Sequence, residues 1–103
     1  MSAITFEEKQ NLNKLSQAIK SRSVVRFKYK EEKRIVEPFL VGIRKDSEKL
    51  TVRCWCKKAK DWRQYILSEM TIITITNDLF DPSKRKGYNK NDSEMSKIID
   101  RIE

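Results

Sequence analysis

Two arginines and two aromatic residues occupy alternating positions on two neighbouring segments near the middle of the chain. Arg53 and Trp55 belong to the first segment, Arg63 and Tyr65 belong to the second, and the lysine-rich stretch 57–61 separates them. Guanidinium groups hold phosphates through paired hydrogen bonds, and aromatic rings offer flat surfaces on which nucleic-acid bases stack. If the four side chains share one face, they form a surface suited to an anionic ligand that carries bases.

The register of this hairpin decides whether the four side chains meet. We expect a register in which Trp55 faces Arg63 and Arg53 faces Tyr65, which places all four on the outer face of the sheet. A shift by one residue would turn part of the set inward. The structural alternative is that each arginine only stacks on its aromatic neighbour, which contributes about 0.5–1 kcal/mol. We favour binding, because exposed aromatic rings among arginines exceed what solubility requires.

Further cations extend the predicted surface. Arg26 and Lys28 lie on an earlier segment, Arg34 follows, and Lys57 begins the hairpin turn. The formal net charge of the chain is +8. Such a balance favours partners with phosphate backbones, although it also fits a basic protein without such a partner.

The residue types needed for most catalytic chemistry are missing. The sequence contains no histidine and only two glycines, which excludes histidine-dependent triads and glycine-rich phosphate loops. Cys54 and Cys56 cannot form a standard zinc site alone, and we expect both to be core residues in a reduced protein. The sequence therefore predicts a non-enzymatic protein without a metal or a cofactor.

Neither a membrane span nor a secretory signal is expected. No stretch approaches the roughly 20 apolar residues that a membrane span needs. The segment 1–10 has no apolar stretch and carries Glu7 and Glu8, unlike a signal peptide. These features predict a cytoplasmic protein.

A helix is predicted near the start of the chain. Thr5 and Glu8 fit a capping box, and Leu12, Leu15 and Ile19 follow at helical spacing. Five short segments with alternating or β-branched residues then predict strands at 24–30, 34–44, 50–56, 62–67 and 71–76. Their regular spacing favours a small closed barrel or sandwich, which would leave no free edge.

The composition changes after Phe80. The segment 81–87 is polar and basic, which is typical of a linker or a mobile loop. Met95, Ile98, Ile99 and Ile102 then recur at helical spacing and predict a short C-terminal helix. We therefore divide the chain into a helix-plus-barrel domain, 1–80, and a basic linker with a C-terminal helix, 81–103.

Several of these segments together resemble a WYL domain. The similar segments follow one another in the order typical of that family: VRFKY at 25–29, RIVEPFLV at 34–41, VRCWC at 52–56 and WRQYIL at 62–67. The resemblance covers roughly 12–80. It implies a mainly β fold, in which a leading helix precedes a five-stranded Sm-like or SH3-like barrel.

The resemblance also implies a function. WYL domains commonly stand behind a helix-turn-helix in bacterial transcription regulators, where they sense ligands and are thought to bind nucleic acids or nucleotides through a basic pocket. By similarity, Arg53 and Arg63 would be the pocket arginines, with Tyr29 and Tyr65 nearby. In the present sequence this implies a stand-alone domain of that kind.

Two functional hypotheses follow. The first is a regulatory or accessory module that binds single-stranded nucleic acid or a nucleotide through Arg53, Arg63 and their neighbours. The alternative is a protein-interaction or oligomerisation module, in which the C-terminal helix joins a second copy or a regulatory protein.

Overall fold

The computed structural model describes residues 4–103 and begins with one long helix. Helix α1 spans Phe6–Ser21 and has the predicted capping box, in which the Thr5 hydroxyl accepts from the Glu8 amide and the Glu8 carboxylate accepts from the Thr5 amide. The helix ends at Arg22, whose φ of 54° is left-handed. It buries Leu15, Ala18 and Ile19 in the core. No helix in the described part of the chain has the length and apolar character needed to cross a membrane.

Six strands follow in one antiparallel sheet. They are β1 (Ser23–Tyr29), β2 (Glu32–Arg44), β3 (Leu50–Cys56), β4 (Asp61–Ile66), β5 (Met70–Leu79) and β6 (Met95–Arg101). Their order is β4-β3-β2-β1-β5, and β6 pairs with β2. The fold is thus mainly β with one N-terminal helix, and the five predicted strands all form.

The predicted closure of the sheet into a barrel is wrong, because β4 and β5 do not pair. A single 3₁₀ turn, Leu67–Glu69, joins these strands, and helix α1 packs against this turn. The Asn11 amide nitrogen donates to the carbonyls of Leu67 and Met70 at 2.9 and 3.1 Å. The Tyr29 hydroxyl accepts from the Ile66 amide at 3.4 Å. Side chains thus satisfy backbone groups along this seam, and the sheet stays open.

The predicted C-terminal helix is also wrong, since this segment forms strand β6. Register shifts occur between Val41 and Gly42 and between Ile43 and Arg44 where β6 pairs with β2. Bulges of this kind add a residue to one strand. Apolar residues spaced three or four apart along β6 can therefore still point to the same side of the sheet. β-branched isoleucines favour this conformation.

Strand β2 is the central strand of the sheet and pairs with three other strands. One of its edges pairs with β1 in its first half and with β6 in its second half, while the other edge pairs with β3. A register shift lies between Pro38 and Leu40. At Gly42 a Cβ atom would lie 2.3 Å from the Lys97 carbonyl oxygen, so only glycine allows β6 to approach this closely.

Candidate functional site

The predicted register of the β3–β4 hairpin is wrong by one residue. The observed cross-strand pairs are Val52 with Tyr65, Arg53 with Gln64, Cys54 with Arg63 and Trp55 with Trp62. The turn has four residues, 57–60, and its last residue, Lys60, has a left-handed φ of 52°. Because paired residues share a face, Arg53 and Trp55 lie on the outer face while Arg63 and Tyr65 lie on the inner one. The four side chains do not form a common platform.

The outer face of β3 is covered by the segment that the sequence predicted to be a linker. The Arg85 guanidinium lies 4.9 Å from the centre of the Trp55 ring. It also donates two hydrogen bonds of 2.7 Å to the Glu37 carboxylate, which is only 2% exposed. The hydrogen bonds to Glu37 raise the pKa of Arg85. Trp55 therefore has a partner from its own chain.

Arg53 is likewise occupied from within the chain. Its Nε lies 2.8 Å from Asp92 Oδ2, and its Nη2 lies 3.5 Å from Glu94 Oε2. Glu94 also forms an ion pair with Arg44 at 2.9 Å. A phosphate at Arg53 would have to compete with these carboxylates.

Tyr29 and Tyr65 lie inside the fold. Their ring centroids are 4.8 Å apart, and Phe27 packs edge-on against Tyr65 at 5.0 Å. Both tyrosines are buried, so neither offers an exposed ring for a base. Arg63 is exposed and forms an ion pair with Asp61 at 3.2 Å.

Burial raises the pKa of Tyr29, of Tyr65 and, to about 12, of Tyr88. The folded state thus keeps these protons above pH 10, where unfolded tyrosine loses them. We expect stability to be complete below pH 10 and to fall as the pH rises from there toward the folded values. Urea unfolding at several pH values between 8 and 11 should show this loss. In Tyr65→Phe the free energy of unfolding should fall less steeply with pH than in the unmodified protein. Equal slopes in the two proteins would contradict a contribution from Tyr65.

A second cationic surface lies on the outer face of β1, β2 and β5. It is a groove of about 320 Å³, which we call the cationic groove; its lining residues are Arg26, Phe27, Lys28, Lys33, Arg34, Ile35, Ile72 and Thr74. None of these lining residues is acidic. Arg34 is held by Glu32 at 3.1 Å, whereas Arg26, Lys28 and Lys33 are exposed and have no ion pair within residues 4–103.

The strand register concentrates these cations. Lys28 lies directly opposite Lys33 on β2, and Arg26 lies opposite Ile35. Like charges at directly opposite positions destabilise a sheet unless a counter-ion offsets them. No side chain that lines this groove supplies such a counter-ion, so these cations are free to bind an external anion.

Two of the eight predicted site residues, Arg26 and Arg34, line this groove. Arg34 pairs with the core residue Phe27, so of these two only Arg26 presents its side chain to the outer face. The Lys57 amide donates to the Ile35 carbonyl at 3.1 Å, but Lys57 is not among the lining residues. The prediction missed Lys33. Its position follows from a two-residue turn at Lys30 and Glu31, where φ is 51° and 63°. Such turns usually carry Asn-Gly or a similar pair, so no local residue pattern indicated this register.

Comparison with known proteins adds a family and a related structure. A family model described as WYL domain matches residues 10–75. Proteasome accessory factor B/C (PafBC) of Arthrobacter aurescens has a similar structure, with a TM-score of 0.67 and 25% sequence identity. The similarity covers 79% of this chain but only 13% of that protein. The comparison with curated proteins gives no match. The family match includes β1 and β2 and ends before the segment that contains Arg85 and Glu94.

Proposed function

Because the chain belongs to the WYL domain family, we propose that it is a non-catalytic regulatory or accessory module that binds single-stranded nucleic acid, or a nucleotide, in the cationic groove. The observation that carries this proposal is the unbalanced charge of the groove. Lys28 and Lys33 face each other, Arg26 lies beside them, and no lining residue is acidic. A phosphate between the two strands would offset this repulsion.

The groove combines two kinds of contact. Its cations can neutralise phosphates, and each neutralised phosphate releases condensed counter-ions, which makes binding depend on salt. The exposed side chains of Ile35 and Ile72 provide apolar surface beside these cations. An isolated basic patch would attract any polyanion, whereas apolar surface adds contacts to sugars or bases.

Removing the three free cations tests this proposal. In the triple variant Arg26→Ala, Lys28→Ala, Lys33→Ala, we expect the affinity for a labelled single-stranded oligonucleotide to fall at least about tenfold. The plot of log affinity against log salt should become shallower by about 2, because roughly three phosphate contacts are lost. Fluorescence anisotropy at several salt concentrations measures both quantities.

The matched control removes the same charge elsewhere. Lys45, Lys49 and Lys97 are exposed and lie outside the cationic groove, and their replacement by alanine should leave most of the affinity. Equal losses in the two triple variants would refute the groove as the binding site, because binding would then follow total charge alone.

The alternative of a protein-interaction module depended on an exposed C-terminal helix. The segment Met95–Arg101 is a strand paired with β2, and both Met95 and Ile102 are buried within the chain's own fold. We therefore favour nucleic acid or a nucleotide over a partner protein. Both cysteines are free and buried, which is compatible with a reduced, cytoplasmic setting.

A further inference from the structure

Ile72 adopts an unfavourable backbone conformation at the rim of the cationic groove. Its φ is 52°, in the left-handed region. A β-branched residue with positive φ is a genuine outlier, because its side chain clashes with its own backbone there. The side chain is also 75% exposed, so no core packing compensates for the strain.

The path of β5 explains the left-handed backbone conformation of Ile72, but it does not explain why this residue is an isoleucine. β1 advances two residues from Arg26 to Lys28 while β5 uses three between Thr74 and Thr71, which is a bulge. This bulge keeps Ile73 in the core. Glycine is the residue that adopts the left-handed position of a bulge without strain. The isoleucine at this position therefore has no structural reason within the described chain.

The surroundings of Ile72 suggest what its side chain contacts. It lines the cationic groove together with Arg26, Lys28 and Ile35. An apolar group that stands among phosphate-binding cations can contact the face or edge of a base while the cations hold the backbone. Proteins that bend duplex DNA insert apolar side chains such as isoleucine between stacked base steps, so an aliphatic group can contact a base face.

We propose that Ile72 is an apolar wedge that contacts an unpaired base of the bound strand and thereby gives the groove its preference for single-stranded over duplex ligands. This inference rests on the proposed function of the groove. In a duplex the base faces are already stacked, and separating a base step costs a few kcal/mol. A single strand offers its bases without most of that cost.

The test compares two exposed apolar residues of the same strand. Ile72→Asn removes the apolar group but keeps a residue that tolerates positive φ. Leu79→Asn is the matched control, because Leu79 is 72% exposed and lies outside the groove. We expect Ile72→Asn to weaken binding of the single-stranded oligonucleotide about tenfold and Leu79→Asn to change it less than twofold. The salt dependence of both variants should equal that of the unmodified protein, because no phosphate contact is removed.

Two further measurements make the test specific. Affinity for a duplex of the same sequence should change little in Ile72→Asn, so its preference for single strands should shrink. Ile72→Gly should raise the denaturation midpoint while it weakens single-strand binding, since it relieves the strain and removes the wedge.

The failures of the two proposals are distinguishable. One outcome is that the unmodified protein binds the single strand in a salt-dependent way while Ile72→Asn binds it like Leu79→Asn. That result would refute the role of Ile72 as a wedge and would leave the groove as the proposed binding site. If the unmodified protein shows no salt-dependent binding, both proposals are overturned. A fall of duplex and single-strand affinity by the same factor also overturns the wedge.

Discussion

Replacing Arg85 by alanine is expected to lower the free energy of unfolding by about 3–5 kcal/mol. The Glu37 carboxylate is buried and receives two hydrogen bonds of 2.7 Å from the Arg85 guanidinium. Without that partner it would remain in the fold as an unpaired buried charge, which is costly. The Arg85 contact with the Trp55 ring would be lost as well. Chemical denaturation at neutral pH measures the loss.

An exposed ion pair provides the matched control. Arg63 and Asp61 are 49% and 62% exposed, and Arg63→Ala should cost no more than about 1 kcal/mol because water screens this pair. The double variant Arg85→Met, Glu37→Leu should recover much of the loss, since it removes both charges together. A cost for Arg85→Ala as small as that for Arg63→Ala would show that Glu37 does not depend on Arg85.

The Arg85–Glu37 pair also shows what sequence patterns cannot give. Local patterns predicted helix α1 and the strands β1 to β5, because the helix and β1 have a regular apolar face, while the other strands are short runs rich in apolar or β-branched residues. The segment 81–87 has no such face and was predicted as a linker. Arg85 in this segment binds the buried carboxylate of Glu37, 48 residues earlier in the chain, and no local pattern reports such a pair.

The positions of the candidate site residues depended on two hairpin turns. The β3–β4 turn places Lys60 at positive φ, and the β1–β2 turn places Lys30 and Glu31 there. None of these residues is the glycine or asparagine that marks such positions in a sequence. The register of both hairpins was therefore open to error by one residue, and that error decides which side chains share a face.

Counting charges also could not separate free cations from paired ones. Arg53 was one of the two arginines predicted to bind phosphate, yet Asp92 and Glu94 reach it from 39 and 41 residues further along the chain. Arg26, predicted as an extension of the surface, has no acidic neighbour among the groove residues. The structure thus moves the candidate site from the hairpin β3–β4 to the face shared by β1, β2 and β5.

Phe39→Ala is the second substitution with a large expected effect, a loss of about 3–5 kcal/mol of unfolding free energy. Phe39 is fully buried, and its ring lies 4.9, 5.3 and 5.0 Å from those of Trp62, Phe80 and Tyr88. Its backbone carbonyl also accepts from the Ile102 amide at 2.7 Å. The cavity left by the ring would remove contacts to the hairpin β3–β4 and to the C-terminal segment at once.

The matched control for Phe39→Ala is Phe6→Ala, because Phe6 is 73% exposed and its loss should cost less than about 0.5 kcal/mol. Amide hydrogen exchange should show where the damage lies. If Phe39 joins the C-terminal segment to the sheet, protection in β6 should fall further than protection in the β1–β5 pair, which carries the cationic groove. Below its melting temperature the variant should therefore still bind the single-stranded oligonucleotide. Equal loss of protection in both regions would mean instead that the groove and the C-terminal segment unfold as one cooperative unit.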